Sequence, residues 1–271
     1  MPLIEAKDIE IYYEERGEGT PLMLINGWGG NLNSWSPHMI DLLSEKHRVI
    51  MMDNRGTGRS GKPDIPYTID MMAGDTAALL DALGIKKAHI MGFSMGGIIT
   101  QGFGLKYPEK TLSLVLCGTQ AGGLNRISSD PKVQMDLALI ANPLPEMTER
   151  DRTMKLLYLL YSREYVDANL EALILDETYS DYPTPDYALM RQSGAIAGFS
   201  SYERLPEMKY PVLVMTGTED VLVPAENSEI LKERIPKAEL VKIPGCGHGF
   251  LKQKTDEAVT HILVFLEKVD A

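Results

Sequence analysis

The sequence predicts an α/β fold: a mostly parallel central sheet flanked by helices, interrupted by a helical insertion. Three observations lead there. Short β-rich runs alternate with helix-period patterns over most of the 271 residues, as strand–helix–strand units require. Several runs are apolar nearly throughout, as strands covered on both faces are. The alternation stops between about residues 120 and 205, where the pattern is helical and no strong strand pattern occurs. The expected division is a core of residues 1–119 and 206–271, with 120–205 inserted between two strands of one sheet.

Taken in order, IEAKDIEIYYEERGEG reads as a hairpin-like start with one or two strands. PLMLI, HRVIMMD, KAHIMGF, TLSLVLC, YPVLVMTG and AELVKIPG each read as one strand. Between them, TIDMMAGDTAALLDALG has helical spacing and ends at Gly84, and GIITQGFGLKYP stops at Pro108, which cannot continue a helix. The insertion contains the helical run MKLLYLLYSREYVDANLEALILDETY, punctuated by Pro143, Pro145, Pro183 and Pro185. AENSEILKERIP and TDEAVTHILVFLEK complete the helices.

Acidic residues outnumber basic ones 38 to 27, a formal charge of −11. With no Lys/Arg cluster, this argues against nucleic acid or an anionic membrane as partner. Cys117 and Cys246 are too few for a disulfide framework and lack metal-ligand spacing. Cys117 ends an apolar run and is expected to be a buried thiol. MPLIEAKDIE has neither the basic nor the apolar region of a signal peptide. The longest apolar clusters, such as LLYLLY, fall far short of the roughly 20 residues of a membrane span. The expectation is a cytoplasmic protein, its oligomeric state left open.

Residues 56–62, GTGRSGK, fit G-x-G-x-x-G and most of the P-loop pattern. Both motifs work only where the glycine turn opens a helix that receives the phosphates. Pro63 and Pro66 follow instead, so a tight structural turn is expected.

GFSMG at 92–96 matches the G-x-S-x-G nucleophile elbow. There a strained strand–turn–helix projects a serine hydroxyl from the sheet. The pentapeptide is weak alone, but a strand pattern precedes it and a helix pattern follows. Ser94 is therefore the candidate nucleophile, and such a hydroxyl needs a general base. Of the five histidines, His89, His47 and His261 fall within regular elements and are expected to be structural or surface groups; His38 lies in a segment left unassigned. His248 sits in PGCGHGF, immediately after the last strand, and is the candidate base. Glu219 and Asp220 both follow a buried strand at its carboxyl end, where ligands bind in open parallel sheets. Either supplies the carboxylate that would orient the base.

NGWGG, DNRGTGRS, GFSMGG, YPVLVMTGTED and PGCGHGF occur in this order. The chain thereby resembles the α/β-hydrolase superfamily, in its branch of small capped esterases, lactonases and perhydrolase-like enzymes. The resemblance implies that residues 120–205 form a helical cap. It matches Asp220, not Glu219, to the acid position, and assigns the backbone amides of Trp28 and Met95 to the oxyanion hole. Asn26 departs from the family, which has His at that place. Asp53 and Arg55 correspond to a bracing turn. The implied activity is cleavage of small to medium apolar carboxylic esters through an acyl-enzyme, without metal or cofactor. An enol-lactone or a carbon–carbon bond substrate is the alternative, and a ligand-binding role with little turnover is the alternative of another class. Met71, Met72, Met95, Met190, Tyr158, Tyr161, Tyr165, Tyr179 and Tyr182 are possible cavity-lining or packing groups.

Overall fold

The computed structural model describes residues 3–6, 8–178 and 182–271. The strands are β1 (Leu3–Ala6), β2 (Ile9–Arg16), β3 (Thr20–Ile25), β4 (His47–Met52), β5 (Ala88–Phe93), β6 (Thr111–Cys117), β7 (Val212–Gly217) and β8 (Ala238–Ile243). They form one eight-stranded sheet in the order β1-β2-β4-β3-β5-β6-β7-β8. β1 and β2 pair antiparallel, β2 joins β4 antiparallel, and all remaining pairs are parallel.

The apolar runs are explained by coverage of both faces. Met23, Ile25, Ile50 and Met52 point into one core, and Leu22, Leu24, Val49 and Met51 into the other. The period of two thus sends alternate residues to opposite faces, each buried side chain contributing about 1.5–3 kcal/mol. The first core is closed by α2 (Ile69–Ala82), α3 (Met95–Lys106) and α8 (Glu226–Arg234). The second is closed by α1 (Pro37–Ser44), the short α9 (Phe250–Gln253) and α10 (Thr255–Asp270).

Helix α1 occupies a stretch that the sequence left unassigned. It starts with Pro37 in its first turn and buries Met39, Ile40 and Leu43. His38 is therefore helical, exposed and paired with Asp256 at 2.8 Å.

Between β6 and β7 lie α4 (Pro131–Ala141), α5 (Glu149–Leu160), α6 (Arg163–Thr178) and α7 (Asp186–Ala197). A bridge from Gly122 to Ser200, beside the Ser201 amide donating to the Ala121 carbonyl, ties the two ends of this segment together. The run expected to be continuous from Met154 breaks at Tyr161, which is extended and buried. There Leu157, Tyr161, Val166, Leu173 and Ile174 form a small core of their own. No helix among the described residues is long and apolar enough to cross a membrane.

The parallel strands β3, β5, β6, β7 and β8 end on one side. The segments that follow them there, 26–30, 94, 118–119, 218–220 and 244–248, contain every candidate site residue outside α3.

Candidate active site

Ser94 is the turn between β5 and α3, at φ +55° and ψ −118°. It is the sole non-glycine residue with positive φ among those described. Such a conformation costs about 1–3 kcal/mol and persists only where the surroundings enforce it. Here the Ser94 amide donates to the Cys117 carbonyl at 2.8 Å, and the Thr119 hydroxyl donates to the Ser94 carbonyl at 2.8 Å.

The flanking glycines serve close approach rather than unusual torsion, since none of the three has positive φ. A Cβ on Gly92 would lie 2.1 Å from the Gly96 carbonyl oxygen, and one on Gly96 2.0 Å from that of Ile25. On Gly97 it would strike Thr119 at 2.6 Å. Strand, turn and helix are packed too tightly for any side chain.

At the end of β7 the Asp220 side chain is wholly buried. Its Oδ1 accepts the amides of Leu222 (3.0 Å) and Val223 (2.8 Å), and its Oδ2 accepts Nδ1–H of His248 at 2.7 Å. Glu219 is exposed, and its backbone amide donates to Cys246. The His248 ring packs against Phe93 at 4.8 Å between centroids. It also lies over Gly118, where a Cβ would sit 3.2 Å from its Cε1. Ser94 and His248 line one cavity of about 800 Å³, with Asp220 behind the imidazole.

The loop after β3 forms another wall. Asn26, standing where the family has His, folds the loop on itself: its Oδ1 accepts the Gly27 amide and its Nδ2 donates to the Asn31 carbonyl. A Cβ on Gly27 would lie 3.3 Å from that of Ser94, so loop and serine are adjacent. Trp28 and Met95 both line the cavity, and neither amide donates to a protein acceptor among the described residues. The Met95 amide opens α3, where such donors are unsatisfied by the helix itself.

Gln192, from α7, was missed by sequence reasoning. Fully buried, it accepts the Gly29 amide through Oε1 at 2.8 Å and donates through Nε2 to the Arg55 carbonyl. Trp28 Nε1 donates to the Leu189 carbonyl of the same helix. The inserted helices thus hold the loop from outside. A lone Gln in an amphipathic helix gives no sequence signal of this role.

GTGRSGK is a turn, and the next α-helix after it begins only at Ile69. Asp53 sits at its centre, accepting the amides of Leu32 (2.6 Å) and Arg59 (2.7 Å). Burial pushes its carboxyl above the ordinary range, opposed by those amides. Arg55 is buried and forks to Asp75 and Asp8 at 2.7–3.1 Å. Neither side chain borders the cavity.

Of the possible lining groups, Met95 and Tyr161 border the cavity. Met72 belongs to the core beneath α2, Met190 is exposed, and Tyr158 and Tyr165 pack against the small core around Tyr161. Met71 is half-buried away from the cavity, Tyr182 stacks on Arg59, and Tyr179 lies outside the described residues. Both cysteines are buried free thiols, and burial drives that of Cys117 far above its usual range.

Comparison with known proteins agrees with this architecture. A family model described as the alpha/beta hydrolase fold matches residues 20–255. A proposed carbamate hydrolase, RutD, of Azorhizobium caulinodans is 32% identical over the full length of both chains. The enol-lactonase of Burkholderia xenovorans superposes with a TM-score of 0.85 at 25% identity, covering 98% of this chain and all of that one. A thermophilic esterase of Thermogutta terrifontis gives 0.82 at 26% identity, covering 97% and 95% of the two chains. The sheet order, the strained turn at Ser94 and these matches together establish that this chain is a hydrolase of the α/β-hydrolase fold family.

Proposed function

We propose that the chain is a serine-dependent carboxylic ester hydrolase acting through an acyl-enzyme, with Ser94, His248 and Asp220 as its catalytic triad. One observation carries the reading. A serine held in a strained turn shares a cavity with a histidine whose far nitrogen is fixed by a buried carboxylate. In this mechanism Ser94 Oγ attacks the ester carbonyl while His248 Nε2 takes its proton. Asp220 holds the tautomer with Nδ1–H and stabilises the imidazolium. The Trp28 and Met95 amides receive the developing oxyanion, where preorganised donors act most strongly. His248 then protonates the departing alcohol, and a water it activates releases the acid from Ser94.

Residues 120–205 are the cap over the core of 1–119 and 206–271. Ile98, Leu137, Ile140, Leu156, Leu222 and Val223 give the cavity apolar walls, which suits small to medium apolar esters. The names of two relatives favour neighbouring substrates, an enol-lactone and a carbamate. A lactone is a cyclic ester and follows the same steps; a carbamate adds nitrogen beside the attacked carbonyl.

The test is hydrolysis of p-nitrophenyl esters from acetate to laurate beside an enol-lactone and an aryl carbamate, with Ser94→Ala as control. Ester turnover that disappears in the control supports the reading, and the chain-length optimum sizes the acyl pocket. Turnover of lactone or carbamate alone, Ser94-dependent, keeps the triad and replaces the substrate. Saturable binding without product would overturn the enzyme reading.

A further inference from the structure

At the opposite end of the sheet, two histidines and a carboxylate meet outside the cavity. His47 begins β4 and His89 lies at the start of β5, flanking β3 on its two sides. Asp270 ends α10 and reaches both rings. His89 Nε2 lies 3.0 Å from its Oδ1, and His47 Nε2 lies 3.5 Å from its Oδ2. One ligand atom from each residue falls within 4.8 Å of the other two. We propose that His47, His89 and Asp270 form a binding site for a divalent transition-metal ion, Zn²⁺ foremost, that staples the end of α10 to the sheet.

Four features support this. First, His47 is 2% exposed, yet neither of its ring nitrogens makes a hydrogen bond of good geometry; Nε2 stands 3.5 Å from Asp270. A buried imidazole so poorly bonded is costly, and a metal ion would use the nitrogen facing Asp270. Second, His89 is oriented from behind by Ser113 Oγ, 2.7 Å from Nδ1, leaving Nε2 toward Asp270. Metal-bound histidines ordinarily have such a partner on the other nitrogen.

Third, the spacing is close to what coordination needs. Tetrahedral zinc with bonds near 2.0–2.1 Å sets its ligand atoms about 3.3 Å apart. The two histidine–aspartate distances, 3.0 Å to Oδ1 and 3.5 Å to Oδ2, are each near that value, although they reach different oxygens of the carboxylate. The histidine–histidine edge remains to close, which a small rotation of the rings, now edge-to-face at 6.0 Å between centroids, would provide. Fourth, the donors suit the ion. Two imidazoles and one carboxylate select a borderline metal over Mg²⁺ or Ca²⁺. Asp270 is 31% exposed, giving the ion a way in and room for a water as fourth ligand.

The experiment uses the metal-stripped full chain, titrated with ZnCl₂ by calorimetry and with CoCl₂ by visible absorption. One equivalent of tight binding, with d–d bands of four-coordinate cobalt, is expected. Saturating zinc should raise the unfolding temperature by about 5 °C, as a ligand in large excess over its Kd does for a chain of this size. Asp270→Ala, at the end of the last helix, should weaken binding by more than the roughly 10- to 100-fold that loss of an outer partner costs. His47→Gln should do the same, with folding checked by circular dichroism. His38→Ala, removing the exposed His38–Asp256 pair, should leave the stoichiometric binding intact. No binding at millimolar metal overturns the proposal. So does binding that survives in Asp270→Ala, or octahedral cobalt bands on surface groups.

Discussion

Each end of the sheet carries a histidine hydrogen-bonded to an aspartate, and their difference separates chemistry from structure. At the carboxyl end His248 meets Asp220 at 2.7 Å; at the amino end His89 meets Asp270 at 3.0 Å. Both imidazoles are buried. His248, however, borders a cavity shared with a strained serine, whereas the second nitrogen of His89 is taken up by Ser113. The carboxylates differ in the opposite sense. Asp220 is sealed and bound by two further amides, while Asp270 is partly open to solvent. A fixed acid behind a histidine facing free space suits proton transfer to substrate. An open acid between two enclosed histidines suits a bound ion. A His–Asp pair alone therefore does not mark a catalytic centre; what the other nitrogen faces decides.

The largest effect expected at the carboxyl end is loss of the proposed base. His248→Ala, or Ser94→Ala, should lower ester turnover by about 10⁴-fold or more, and combining them should add little, because members of a triad act as one unit. Steady-state kinetics of the two single variants and the double variant checks this. Multiplicative losses in the double would break the comparison, since Ser94 and His248 would then act independently. Asp220→Asn comes next, at about 10³-fold: the amide can retain the position but not the negative charge opposite the imidazolium. A turnover unchanged within a few fold would make Asp220 no more than a brace, like Asp53.

The inserted helices supply a smaller test. Gln192→Ala removes the acceptor of the Gly29 amide and the donor to Arg55 while touching neither Ser94 nor His248. Loosening the proposed oxyanion loop by a fraction of an ångström should cost about 10-fold in turnover, together with about 1–3 kcal/mol of stability from the unpaired buried groups. Thermal unfolding and kcat measured on one preparation separate the two. A stability loss with unchanged kcat would show that the loop holds its shape without α7.

How much of this was legible follows from where each signal resides. The central strands could be read because apolar runs such as TLSLVLC face two cores at once, and the elbow because strand, glycines and helix lie contiguous. Helix α1 was not legible: its 8 residues begin at a proline and offer little more than two turns of periodicity. The reason for Gly92, Gly96 and Gly97 was visible only in part, since the atoms they avoid belong to Thr100, Ile25 and Thr119 as well as the turn itself. Gln192 and its loop are 163 residues apart, and His89 and Asp270 are 181 apart. No local pattern reports such meetings. The strand ends alone left Glu219 and Asp220 as equal candidates; resemblance chose Asp220, whose side chain meets His248 while Glu219 is exposed.

That choice gives the smallest expected effect and the sharpest test of the acid. Glu219 and Asp220 adjoin in sequence, both lie just beyond β7, and both place a carboxylate near the His248 loop. Electrostatics through space would let either stabilise an imidazolium to some degree. Glu219 is exposed, and charge interactions through solvent are screened within about 8–10 Å at physiological salt. Asp220 meets His248 through a direct hydrogen bond in a buried site. Glu219→Gln should therefore change turnover by less than about twofold, since an exposed carboxylate interacts only weakly. Any small change should shrink further as salt is raised, whereas the loss in Asp220→Asn should persist. A Glu219→Gln loss larger than that of Asp220→Asn would assign the acid to the wrong side of one peptide bond.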